Sequence, residues 1–147
     1  MRAAFALAMA SVLVGCGDDG GGTSTPDAPD VTVDSAPPVD AVPRETIMVS
    51  QPLVPGELVE GFITGGPPDY AVITLRAPSP DMDWNIHGHA NGGTQIVDEG
   101  FKVTTVDEVF TLPSQAKWYL LIRNSGSTDL TVDIKVELFG SLTWEWQ

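Results

Sequence analysis

"DLTVDIKVELF", Asp129 to Phe139, sets Leu130, Val132, Ile134, Val136 and Leu138 in strict alternation with Thr131, Asp133, Lys135 and Glu137. Side chains of an extended chain point to opposite faces in turn, so a period of two puts one face on a core and the other in water. "KWYLLIRN", Lys117 to Asn124, precedes it, and the intervening "NSGSTD" has the residues of a hairpin connection. Working outward, further strands are expected at Glu45 to Ser50, Leu58 to Thr64, Tyr70 to Arg76, Asp83 to Ala90, a short one at Thr94 to Val97, and Lys102 to Leu112. "GGPPD", "APSPD" and "NGG" supply turns between them. No amphipathic helix and no internal repeat stands out. Seven or eight short strands predict an all-β domain over residues 45–147, a single antiparallel two-sheet sandwich of jelly-roll or immunoglobulin-like connection.

The N-terminus reads differently. Met1-Arg2 supplies positive charge, Ala3 to Val14 is apolar, and "LVGC" follows at Leu13 to Cys16. This order is that of an export signal, here residues 1–15. At about 1.5 Å per residue the run reaches roughly 18 Å as a helix, short of the ~30 Å hydrocarbon core of a bilayer. "LVGC" resembles the lipobox of bacterial lipoproteins, which implies cleavage before Cys16, lipidation of that cysteine, and anchoring in the cell envelope. The resemblance places the protein at the outer membrane of a Gram-negative bacterium, facing the periplasm or the exterior. Several acyl chains would make the anchor firm, where one gives only weak binding. Cys16 is the sole cysteine, so no disulfide within the chain stabilises the fold.

Residues 16–44 are rich in Gly, Pro, Asp, Ser and Thr and nearly lack large apolar side chains. Such a stretch cannot bury enough surface to offset its ordering entropy, and like charges with prolines keep it extended: a tether. The whole chain carries 20 acidic against 7 basic residues, a formal net charge of −13. Nucleic-acid binding needs a basic patch, and this balance excludes it as a partner. Envelope proteins or glycans remain.

"FTLPSQAKWYLLIRNSGSTDLTVDIKVEL", Phe110 to Leu138, resembles the closing strands of bacterial pre-peptidase C-terminal domains and of GOLD-type sandwiches, and "DMDW", Asp81 to Trp84, is similar to the Asp-rich strand of the former. Lys117 departs from the family pattern, where a glycine commonly precedes the aromatic, as does Trp84, which replaces an aliphatic residue. The resemblance implies a β-sandwich that acts as an accessory module and carries no catalytic residue.

The chemistry-bearing residues are few. A strand from Asp83 to Ala90 sends Trp84, Ile86, Gly88 and Ala90 to the core, Trp118 likewise, and Asp83, Asn85, His87 and His89 outward. Imidazoles two residues apart lie about 6.6 Å from one another on one face, so His87 and His89 with Asp83 or Asp81 could hold zinc or copper. Calcium on Asp81 and Asp83 with Asp98 or Glu99 is the variant for a hard ion. The plain alternative is a solvated outer face, with Gly88 and "NGG" marking a bend. "LTWEW" puts Leu142, Trp144 and Trp146 on one face of a last strand, either packed on the sandwich or forming a sugar-stacking platform. The sequence holds no GxSxG, HExxH or phosphate-loop motif, and the adjacent carboxylates Asp98-Glu99 and Asp107-Glu108 point opposite ways on a strand. A non-catalytic binding or structural module is the expectation.

Overall fold

A computed structural model describes residues 41–90 and 93–147. The expected signal peptide, Cys16 and the part of the expected tether over residues 16–40 lie outside the described residues. These form nine strands: β1 (Glu45–Leu53), β2 (Leu58–Gly65), β3 (Tyr70–Arg76), β4 (Met82–Ala90), β5 (Gly93–Val103), β6 (Thr105–Thr111), β7 (Ala116–Asn124), β8 (Leu130–Phe139) and β9 (Thr143–Trp146). Two antiparallel sheets result, one ordered β1-β8-β3-β6 and the other β5-β4-β7-β2-β9. Strands pair as β1 with β8, β2 with β7, β3 with β6 and β4 with β5, the nesting of a long antiparallel ribbon rolled on itself. That is jelly-roll connection, and it excludes the immunoglobulin-like alternative.

The alternation in β8 does what its period requires. Leu130, Val132, Ile134, Val136 and Leu138 are buried, and face Ala71, Ile73 and Leu75 of β3 on one side and Ile47 and Val49 of β1 on the other within the four-stranded sheet. From the opposite sheet Ile63, Met82, Trp84, Ile86, Trp118, Leu120 and Ile122 complete the core. Apolar area withdrawn from water in this way, at about 25 cal/mol per Å², is the main stabilising term.

Three expectations about connections and the domain boundary need correction. "NSGSTD" is not a hairpin, because β7 and β8 belong to different sheets; Asn124 makes the crossing, its buried side chain donating to the carbonyls of Leu53 and Thr128 and accepting from the Gly126 N–H. The segment expected as a short strand followed by Lys102 to Leu112 is instead β5 and β6, split at Thr104, where the chain leaves one sheet for the other and the Ala77 N–H bonds the Thr104 carbonyl. No Gly or Pro marks that crossing; a register shift beside Lys102, which adopts φ +54°, turns the chain instead. Arg44, assigned to the tether, already belongs to the sandwich through bonds to the carbonyls of Leu138 and Leu142.

Gly88 does not mark a bend. Its bare Cα makes room for Trp118, and Gly100 and Gly61 do the same for Trp84 and Trp144. Among the described residues no helix is long and apolar enough to cross a membrane.

Candidate functional site: the outer face of the five-stranded sheet

Register assembles this site. His87 of β4 lies opposite Ile96 of β5 and Tyr119 of β7, Tyr119 opposite Phe62 of β2, and Phe62 opposite Glu145 of β9. One transverse row therefore runs Ile96, His87, Tyr119, Phe62, Glu145 over all five strands on the face turned away from the core. The imidazole of His87 stacks on Tyr119 with ring centroids 5.3 Å apart, Phe62 tilts against the other side of Tyr119 at 5.7 Å, and Lys117 Nζ caps the Phe62 ring at 4.0 Å. The ammonium over the ring is a cation–π contact.

His87 is accordingly not a solvated residue: it is only 7 % exposed. Its Nδ1 bonds Asn85 Oδ1 at 2.8 Å, and its Nε2 points at Glu60 Oε1, 3.6 Å away. Burial holds the imidazole below its ordinary range; the Glu60 charge opposes this and His89 adds to it. His89 is exposed, with its ring edge-on to His87 at 5.1 Å and to Tyr119 at 5.1 Å.

The carboxylates expected beside the histidines are elsewhere. Asp83 sits four residues along β4 from His87, about 13 Å at strand rise, and its Oδ1 accepts from the Lys102 N–H and the Ser125 hydroxyl. Asp81 accepts from Ser79. Asp83 and Asp81 are occupied in fixing the end of the strand, and it is Glu60, from β2, that faces His87. Sequence spacing along β4 could not show this, because Glu60 arrives by way of β7, two strands over. No group of three or more His, Cys, Asp or Glu among the described residues stands ready to hold a metal.

Next to this row the face is apolar and open. Leu58 is 53 % and Phe101 64 % exposed, and with Leu121, Asn85 and Arg123 they line a shallow cavity of about 250 Å³. Trp144 and Trp146 lie apart from it. Leu142 is fully buried and Trp144 packs on the core, while Trp146 is 40 % exposed; the two indoles stand at 88° in a T-shaped pair. Perpendicular rings, one of them packed inward, make no flat platform for a sugar.

A second pairing of carboxylates escaped the sequence reading. Glu108 of β6 follows the inward alternation of Val106 and Phe110, and burial raises it above the usual carboxylate range, with the charge and hydrogen bond of Asp98 pushing the same way. Adjacent acids on a strand do diverge, as expected, but an acid of one edge strand meets an acid of the other.

The fold and this face define a jelly-roll β-sandwich with an aromatic and apolar sheet surface. The chain matches no family model and no curated protein. Among solved structures it is similar to the Yersinia pseudotuberculosis-derived mitogen, at 13 % identity and a TM-score of 0.50, over 68 % of this chain and 90 % of that one. At such identity the likeness concerns the fold alone.

Proposed function

We propose that the protein is an exported lipoprotein, anchored through a lipidated Cys16, whose sandwich is a non-catalytic binding module presenting the outer face of its five-stranded sheet to an envelope protein. The signal-like N-terminus, the "LVGC" motif and the acidic tether support the location. The observation that carries the binding role is the continuity of the row Ile96, His87, Tyr119, Phe62 with the open patch of Leu58, Phe101 and Leu121. Large apolar side chains exposed together, bordered by an arginine, have the composition of a protein-interface centre. The resemblance to accessory sandwiches agrees with a role in positioning or display. A glycan is the second reading, favoured by the hydrogen-bonding groups of Asn85 and Glu60 beside aromatic rings.

The test is a photo-crosslinking amino acid placed in the full chain in cells at Phe101, Leu58 or, as control on the other sheet, Met48, which is 75 % exposed. Discrete protein adducts from Phe101 and Leu58 but not Met48 are expected. Equal labelling from all three positions would sink the assignment of this face. Cys16→Ser is expected to move the protein from the membrane to the soluble fraction.

A further inference from the structure

Two arginines of the sandwich serve the fold: Arg44 donates to the Leu142 carbonyl, and Arg76 donates to the carbonyls of Leu75 and Val106 and to Asp107. Arg123 does not. The ion pairs Arg76–Asp107, His87–Glu60 and Lys135–Glu137 leave it out, and its guanidinium has no partner among the described residues. It is exposed in the middle of a second transverse row on the outer face of the five-stranded sheet. Asp83 of β4 stands opposite Arg123 of β7, Arg123 stands opposite Leu58 of β2, and Phe101 of β5 flanks Asp83, next to the Lys102 N–H that bonds it. Read from β5 to β2 the row is therefore apolar, acid, base, apolar, and both of its apolar ends are open to water.

We propose that this row docks on the same row of a second copy of the chain, the two five-stranded sheets packing face to face in an isologous dimer. A two-fold axis running along the strands midway between β4 and β7 lays the order β5-β4-β7-β2 over β2-β7-β4-β5 of the second copy. Phe101 then meets Leu58 of the second copy and Asp83 meets Arg123 of the second copy, each contact occurring twice, as a two-fold interface requires. Sheets packed face to face lie about 10 Å apart, a gap that side chains of this length fill from both sides. Asp83 Oδ1 is held by the Lys102 N–H and the Ser125 hydroxyl, which fixes the carboxylate, while its Oδ2 has no partner among the described residues and is left to accept from the arginine. A charge-assisted bond between those groups, flanked by buried apolar contacts, has the make-up of an interface centre. The neighbouring row, Glu99, Asn85, Leu121, Glu60, sets Glu99 against Glu60 of the second copy. This pair of acids opposes the association and keeps it reversible. The inference rests on the reading of this face as a docking surface and names its partner.

The experiment is sedimentation equilibrium of the full chain carrying Cys16→Ser, from micromolar to near-millimolar concentration. A monomer–dimer equilibrium is expected. Arg123→Asp, which sets acid against acid, and Leu58→Asp are each expected to weaken it at least about tenfold, Met48→Asp on the other sheet to leave it unchanged, and Glu99→Gln to strengthen it. All four side chains are exposed, so the far-ultraviolet spectrum is expected to stay the same. In the same cysteine-free chain, Phe101→Cys and Leu58→Cys are expected to join by a disulfide when the two variants are mixed, and far less when each is alone. A chain that stays monomeric throughout, or a dimer indifferent to both Arg123→Asp and Leu58→Asp, overturns the proposal. Monomers combined with crosslinked adducts of other masses from Phe101 and Leu58 would remove the second copy as partner and leave the docking face standing, so the two failures are separable.

Discussion

The indole of Trp118 lies over the bare Cα of Gly88 on the neighbouring strand, where an added methyl carbon would stand 2.7 Å from Cζ3. Gly88→Ala therefore forces the ring out of a close-packed core. A destabilisation of about 1–3 kcal/mol is expected, together with a red-shifted tryptophan emission as the ring meets water; urea denaturation followed by fluorescence measures both. An unchanged midpoint would mean that the ring has room the packing does not show.

Asn124 ties the end of β7 to Leu53 at the end of β1, in the other sheet. Removing its amide strands buried carbonyls and the Gly126 N–H together. Asn124→Ala is expected to cost about 3 kcal/mol, lowering the melting temperature by more than about 10 °C for a domain of this size.

Glu108 titrates in the folded protein above its unfolded value, owing first to burial and then to Asp98. The folded state thus holds its proton more tightly than the unfolded state does, so this group's contribution is fully present below the unfolded pKa and is lost as pH rises through the folded one. Glu108→Gln is expected to be more stable than the parent at neutral pH and equal to it in acid. Melting curves across that range that stay parallel would contradict the assignment.

Lys102 holds φ +54° without being a glycine, a conformation that costs an ordinary residue about 1 kcal/mol. Lys102→Gly keeps the N–H that bonds Asp83 and relieves that cost. Stabilisation by up to about 1 kcal/mol is expected in denaturant titration; a loss of stability would show that the long side chain packs usefully.

Most of the fold could be read from single strands. The period of two in β8, the inward placement of Trp84 and Trp118, and the two-sheet sandwich class follow from local pattern, since burial on one face is a property each strand carries by itself, whereas the choice of jelly-roll over immunoglobulin-like connection rests on the strand order. What a strand does not carry is its neighbour. Whether "NSGSTD" turns back within a sheet or crosses between sheets depends on Asn124 finding Leu53, a residue 71 positions away. The site shows the same division: His87 and His89 were visible as a pair on one strand, while Glu60, Tyr119 and Phe62 join them only through the order β4-β7-β2. The glycines opposite the tryptophans could not be paired with them for the same reason.

The pairing of β1 with β8 sets Glu45 beside Leu138. A chain that is made and passed across a membrane from its N-terminus cannot complete the four-stranded sheet until that late segment has emerged. Contacts between such distant parts form slowly, so under the export proposed above the domain would stay extended through most of its passage, the state a narrow export channel accepts, and would close only when almost its whole length is on the far side.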